Sequence, residues 1–185
     1  GDLIASVMAD QGVSAVETGE ADGFLQGYVI GEPGTARDAL EPLECVWLLY
    51  VSEDNGVLKF SSRAASKLIP ELITEVIHQE DGGPISTKLF DFSSVPRETL
   101  LRFRDPLRDY QSASAEARAE SGSAGTERVE LPAMLDHGVA DALVKELHRA
   151  RMSARKEISL SLPWQYARLT PGDLVTLADV AGETF

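Results

Sequence analysis

Asn55-Gly56, set between the apolar run 46–51 and the run 57–60, constrains the fold of this chain more than any other feature. Both residues tolerate positive φ, as a two-residue hairpin turn demands, and the flanks are rich in Val, Leu and aromatic side chains. The pattern predicts an antiparallel hairpin, and so a sheet with one face to bury. Upstream, Asp2 can cap a helix in which Leu3, Ile4, Val7 and Met8 recur at helical spacing, with Gly12 as the stop. Residues 13–23 are acidic and turn-like. Residues 24–30 read as a strand ended by Gly31, Pro33 and Gly34. Thr35 opens a second helix with Asp38 three residues on, a capping box with Asp in place of Glu. Pro42 lacks an N–H and clashes one turn back, so this helix is expected to be short or kinked.

The segment 68–77 mixes a helical period with β-branched residues and Pro70, which leaves helix and strand both open. The run Glu80-Asp81-Gly82-Gly83-Pro84 is a break and the expected boundary between two units. The first, 1–82, is a small α+β unit of helix, strand, helix and hairpin. The second, 85–185, is a set of strands with one helix, 136–152, inserted. Its strand candidates are 86–92, 100–103, 109–118 and 127–131, with a small, polar loop over 120–125 and Pro132 as a stop. Asp136 caps the strongest helix, whose Val139, Leu143 and Leu147 lie one turn apart. Residues 157–162 alternate apolar and polar without error, as a half-buried strand does. Thr170-Pro171-Gly172-Asp173 fits a type II turn, after which 174–177 returns as a strand. The class predicted is α+β, weighted to antiparallel sheet.

Composition narrows the chemistry. A net charge of −13 repels phosphate backbones and anionic membranes, which argues against stable nucleic-acid binding. No apolar run approaches the roughly 20 residues of a membrane span. Cys45 is the single cysteine, so no intramolecular disulfide forms, and its apolar neighbours fit a buried, inert thiol. His78, His137 and His148 share no short metal-ligand spacing, and HExxH is absent. His148, near a helix end, is expected to cap or to face solvent. No GxSxG elbow, Walker loop or GxGxxG occurs. Glu53-Asp54-Asn55-Gly56 lacks the alternating ligands and distal Glu of a calcium loop. Aromatic residues make up only 6% of the chain, too few to line a typical sugar cleft, and Trp164 and Tyr166 are expected to pack at a strand end. Arg102, Arg104, Asp105, Arg108 and Asp109 crowd around Pro106 and suit ion pairs, internal or across a subunit boundary.

Three stretches, taken in order, carry a resemblance. The first is Gly27-Tyr28-Val29-Ile30, then the run from Thr35 to Leu43, then Asn55-Gly56-Val57-Leu58-Lys59-Phe60. The second runs from Arg104 to Gln111. The third is Ser159-Leu160-Ser161-Leu162-Pro163 followed by Leu169-Thr170-Pro171-Gly172-Asp173-Leu174-Val175. Their order and spacing resemble the central region of the large tail proteins of siphophages and gene transfer agents, the baseplate hub family, which is related in fold to the hubs of contractile tails. The resemblance covers nearly the whole chain. It implies a barrel-like, tail-tube-type domain over 85–185, complete or incomplete, beside the small α/β hairpin domain. It implies a homotrimeric ring that joins the tail tube to tail-tip proteins, with DNA as passing, unbound cargo. It further implies a place in the tail of a phage-like particle assembled in the bacterial cytoplasm, a structural role without enzymatic activity, and no cofactor. The alternatives weighed against it are a tail-associated cell-wall hydrolase and a host glycan- or receptor-binding module.

Overall fold

The computed structural model describes residues 1–21, 23–31, 33–63, 70–77, 85–91, 95–120 and 123–178. Within them the chain is a mixed α+β protein, mostly strands with three α-helices.

The hairpin forms where the turn residues predict it. Strands β3 (Leu49–Asp54) and β4 (Val57–Ser62) pair antiparallel, and Asn55 and Gly56 take φ of 51° and 79°. Helix α1 (Asp2–Asp10) starts at Asp2 itself, with Gly1 at the cap position. Strand β1 (Val16–Glu20) then joins β4 in parallel, in the stretch that reads as a turn. Its acidic residues lie outward on an open edge, so composition hides a strand that only its neighbour creates. The strand expected over 24–30 contracts to β2 (Gly27–Tyr28). Helix α2 (Ala36–Trp47) has the capping box: Asp38 N–H donates to Thr35 Oγ1 at 3.2 Å, and Thr35 N–H to Asp38 Oδ2 at 2.9 Å. It runs through Pro42 for 12 residues. One missing backbone bond is offset by burial of Leu40, Leu43 and Val46, which are 1–3% exposed. The strand expected from Val46 therefore starts at Leu49, after Leu48 ends the helix in the left-handed region at φ 51°.

The largest sheet orders β2, β9 (Ser123–Met134), β7 (Pro96–Asp105) and β8 (Gln111–Arg118). The β7–β8 pair is an antiparallel hairpin, and β9 runs parallel to β7 on its other side. Period-two alternation sends Thr99, Leu101, Phe103 and Asp105 inward from β7, Ala115 and Ala117 from β8, and Leu131 and Ala133 from β9. Pro132 does not end β9. It sits at a register irregularity, and its carbonyl accepts the Val29 N–H at 2.8 Å. Helix α3 (His137–Ser153) packs on β7 and β8, capped by Asp136, whose Oδ1 accepts the Gly138 N–H at 2.8 Å. Its buried stripe is Ala140, Val144, Leu147 and His148. That stripe is rotated from the one read through Val139, Leu143 and Leu147. Ala140 is fully buried, and the β8 strand on which α3 packs turns small Ala115 and Ala117 inward. The core continues through Ile4, Val7 and Met8 of α1 and the apolar face of α2.

Two small sheets complete the fold. Strand β6 (Ile85–Leu89) pairs antiparallel with β10 (Lys156–Leu160), and β5 (Glu71–Ile73) pairs parallel with β11 (Val175–Leu177). So the described part of the ambiguous segment 68–77 contains a strand. The turn before β11 has Gly172 at φ 95° and an Asp173 N–H···O bond to Thr170 of 3.1 Å. The expected break at 80–84 lies outside the described residues. Hydrogen-bonded pairings between β2 and β9 and between β5 and β11 join residues on either side of it. Among the described residues no sheet closes into a barrel: the four-stranded sheet ends at β2 on one flank and β8 on the other.

Candidate functional site

One face of the large sheet is buried by helices; the other is open. Its outward residues form rows across three strands: Arg118, Glu98 and Thr126; Glu116, Leu100 and Arg128; Ser114, Arg102 and Glu130. Thr126 Oγ1 donates to Glu98 Oε2 at 3.0 Å, and Arg102 Nη1 lies 3.4 Å from Glu130 Oε1. Both partners of the Arg102 pair are more than half exposed, so water screens it and it adds little stability. A shallow hollow of about 480 Å³ on this face is lined by Val29, Arg102, Arg104, Ser112, Glu130 and Pro132.

The five-residue cluster divides at the end of β7. Arg102 and Arg104 point to the open face. Asp105 turns inward and is 5% exposed. Its Oδ1 accepts the Leu107 N–H at 2.9 Å, its Oδ2 lies 3.7 Å from Arg108 Nε, and its carbonyl accepts the Tyr110 N–H at 3.0 Å. One buried carboxylate thus organises the whole β7–β8 turn. Asp109 and Tyr110 follow with φ of 51° and 59°, two successive left-handed residues that are not glycine. Such backbone costs about 1–3 kcal/mol per residue and persists only where the surroundings hold it. The turn presents Leu107 at 82% exposure and Tyr110 at 59%. The structure therefore brings Asp105 and Arg108 together and leaves Arg104 and Asp109 outside any ion pair among the described residues. Asp before Pro is the sequence signal of the turn; its burial was not readable.

The remaining residues of chemical interest are structural. His148 is buried, not at the surface, and its Nδ1 lies 3.0 Å from Thr99 Oγ1. His137 is exposed beside Asp141, and His78 lies outside the described residues. Cys45 is half-buried, 3.6 Å from Arg151 Nη2, and burial pushes its thiol pKa up, away from reactivity. Asp54 in the hairpin is held by Lys59 Nζ at 3.0 Å. Among the described residues no three His, Cys, Asp or Glu side chains converge as metal ligands. Tyr166 packs inward with its hydroxyl on the Thr74 N–H, as expected, but Trp164 is 89% exposed.

Charge is distributed unevenly. Residues 1–63 carry eleven carboxylates against three cations, whereas 96–134 carry seven against six. The acidity belongs to the layer of α1, β1, α2 and β3, and the open sheet face is nearly neutral.

The fold is shared with proteins of phage-like particles. A chain of the virion of a native gene transfer agent particle superimposes with a TM-score of 0.84 at 19% identity, covering 95% of this chain and 40% of that one. The 43 kDa tail protein of prophage MuSo2 from Shewanella oneidensis superimposes with a TM-score of 0.58 at 12% identity, covering 96% of this chain and 55% of that one. This chain therefore spans about half or less of the length of either relative. Comparison with curated protein sequences gave no match. The chain belongs to the phage tail family described as "Putative phage tail protein", whose model matches residues 35–185. Its place is the tail of a phage-like particle.

Proposed function

We propose that this chain is a segment of a baseplate-hub protein, a structural component that joins tail tube to tail tip as a homotrimeric ring around the DNA channel. The observation that carries the reading is the large sheet with two unclosed flanks. The outer edge of β8 has no strand beside it among the described residues, and neither does most of β9 away from β7. Proteins cover, charge or shorten such edges unless a neighbour pairs with them. Continuation of the sheet from one subunit into the next would complete a barrel that a single chain leaves open. The cluster from Arg102 to Asp109, at the end of β7, lies where such a neighbour approaches. An acidic layer facing the channel would keep DNA mobile by repulsion.

The test is particle assembly with this segment deleted. The reading expects particles whose tubes lack an organised tip and that fail to deliver DNA. Complete tips on the deleted particles would refute it. Trp164 favours a second reading, host-surface binding, because an indole 89% exposed is available to stack on a sugar. Loss of adsorption to cells by Trp164→Ala particles with intact tails would favour that role.

A further inference from the structure

A protruding knob and an apolar recess lie toward opposite edge strands of the large sheet. The knob is the β7–β8 turn, held by buried Asp105 and by two strained residues, with Leu107 and Tyr110 exposed at its tip. Large side chains on so rigid a support lose little entropy when a partner covers them. The recess holds about 230 Å³ between α1 and α2, walled by Leu3, Leu25, Leu43, Trp47 and Leu49, with Phe24 at its rim, 71% exposed.

Their placement decides the partner. The Gln26 N–H donates to the Met134 carbonyl at 3.0 Å, and Met134 pairs with Arg104, the residue before the knob begins. Knob and recess therefore stand at the same end of the sheet. Phe24 and Leu25 at the recess lead within two residues into β2, the edge strand opposite β8, and the knob closes the β7–β8 hairpin on the other flank. A second copy set beside the β8 flank in the same orientation brings its recess to the knob. Charge agrees: Arg108, paired with Asp105 yet 75% exposed in its side chain, accompanies Leu107, and the recess opens within the acidic layer of residues 1–63. A surface patch meeting a different patch on an identical chain makes a head-to-tail contact, the kind that closes into rings.

We propose that the Leu107–Tyr110 turn of one copy docks in the Phe24–Trp47 recess of the next, as the lateral contact between subunits. This rests on the reading of the chain as a ring component and names the residues that would make the ring.

Crosslinking in the full chain tests it, with Cys45→Ser in every variant. Leu107→Cys is mixed with Phe24→Cys under mild oxidation, and Val51→Cys replaces Phe24→Cys in the control. In parallel, Ser114→Cys on β8 is mixed with Arg128→Cys on β9 and bridged by a flexible bis-maleimide. The inference expects the Leu107–Phe24 heterodimer well above the control. Adding Tyr110→Ala to the knob partner should weaken the contact roughly tenfold or more, as loss of an anchoring aromatic does. A bridged Ser114–Arg128 pair without the Leu107–Phe24 link overturns the knob contact and leaves the ring reading standing. No link in either pair removes both.

Discussion

Replacing Thr99 with valine removes one hydroxyl from the interior and leaves volume almost unchanged, so its effect isolates a single polar contact. Thr99 is 0% exposed and His148 7%, and their side chains meet at 3.0 Å. Neither polar group can turn to bulk water. With valine at 99 the His148 Nδ1 is stranded, and an unpaired buried polar group costs about 1–3 kcal/mol. With a urea dependence of about 2 kcal/mol per molar, the unfolding midpoint should fall by roughly 1 M with an unchanged slope. His148→Leu alone strands the Thr99 hydroxyl but also removes the buried, unpartnered Nε2 of His148, so it should cost less. The double variant leaves no polar group unpaired, so it should be clearly more stable than the two single losses summed. The assay is equilibrium urea unfolding of all four proteins, followed by far-ultraviolet circular dichroism. A Thr99→Val midpoint within about 0.2 M of the parent, the range of neutral surface changes, would refute the reasoning that this buried contact contributes to stability.

Other perturbations test other joints. Gly172→Ala places a Cβ 2.6 Å from Tyr50 Cδ2 at a backbone φ of 95°, and should cost about 1–3 kcal/mol, read by thermal unfolding. Thr35→Ala removes the cap of α2 and should lower stability by about 1 kcal/mol in urea unfolding. The backbone and hydroxyl hydrogen bonds from Thr35 hold the Asp38 carboxyl below its ordinary pKa. A carboxyl more acidic in the folded state contributes stability that is complete above its unfolded pKa and is lost as pH falls through the folded value. Asp38→Asn should therefore flatten the acid limb of the stability profile measured by melts at descending pH. Arg102→Ala breaks an exposed ion pair with Glu130 and should change stability by no more than about 0.5 kcal/mol in the same urea assay.

What the sequence makes legible is local chemistry. Asn55-Gly56, the Thr35–Asp38 box, the Asp136 cap and the alternation from Glu157, which holds as a strand to Leu160, each act within a few residues, and each appears in the fold. Strand β1 was hidden because Val16–Glu20 has one large apolar residue and becomes a strand only against β4. Residues 46–47 read as the start of the hairpin strand, but they close α2, where Val46 is buried with Leu43. In α3 the buried stripe is rotated toward Ala140, Val144 and His148, the side packed on β7 and β8, and helical periodicity does not reveal which side that is. The Arg–Asp cluster could be read as a crowding of charges, but only the folded turn separates buried Asp105 from exposed Arg104. Trp164 lies outward through tertiary placement alone.

Cryo-electron imaging of intact particles addresses the central claim, that this fold is a wall element of a conduit. A map resolving the chain within a threefold ring at the end of the tail tube, with β8 of each fold beside a neighbouring sheet, is the predicted result. Density for the chain in an isolated appendage, with both flanks of its large sheet still facing solvent, would contradict it.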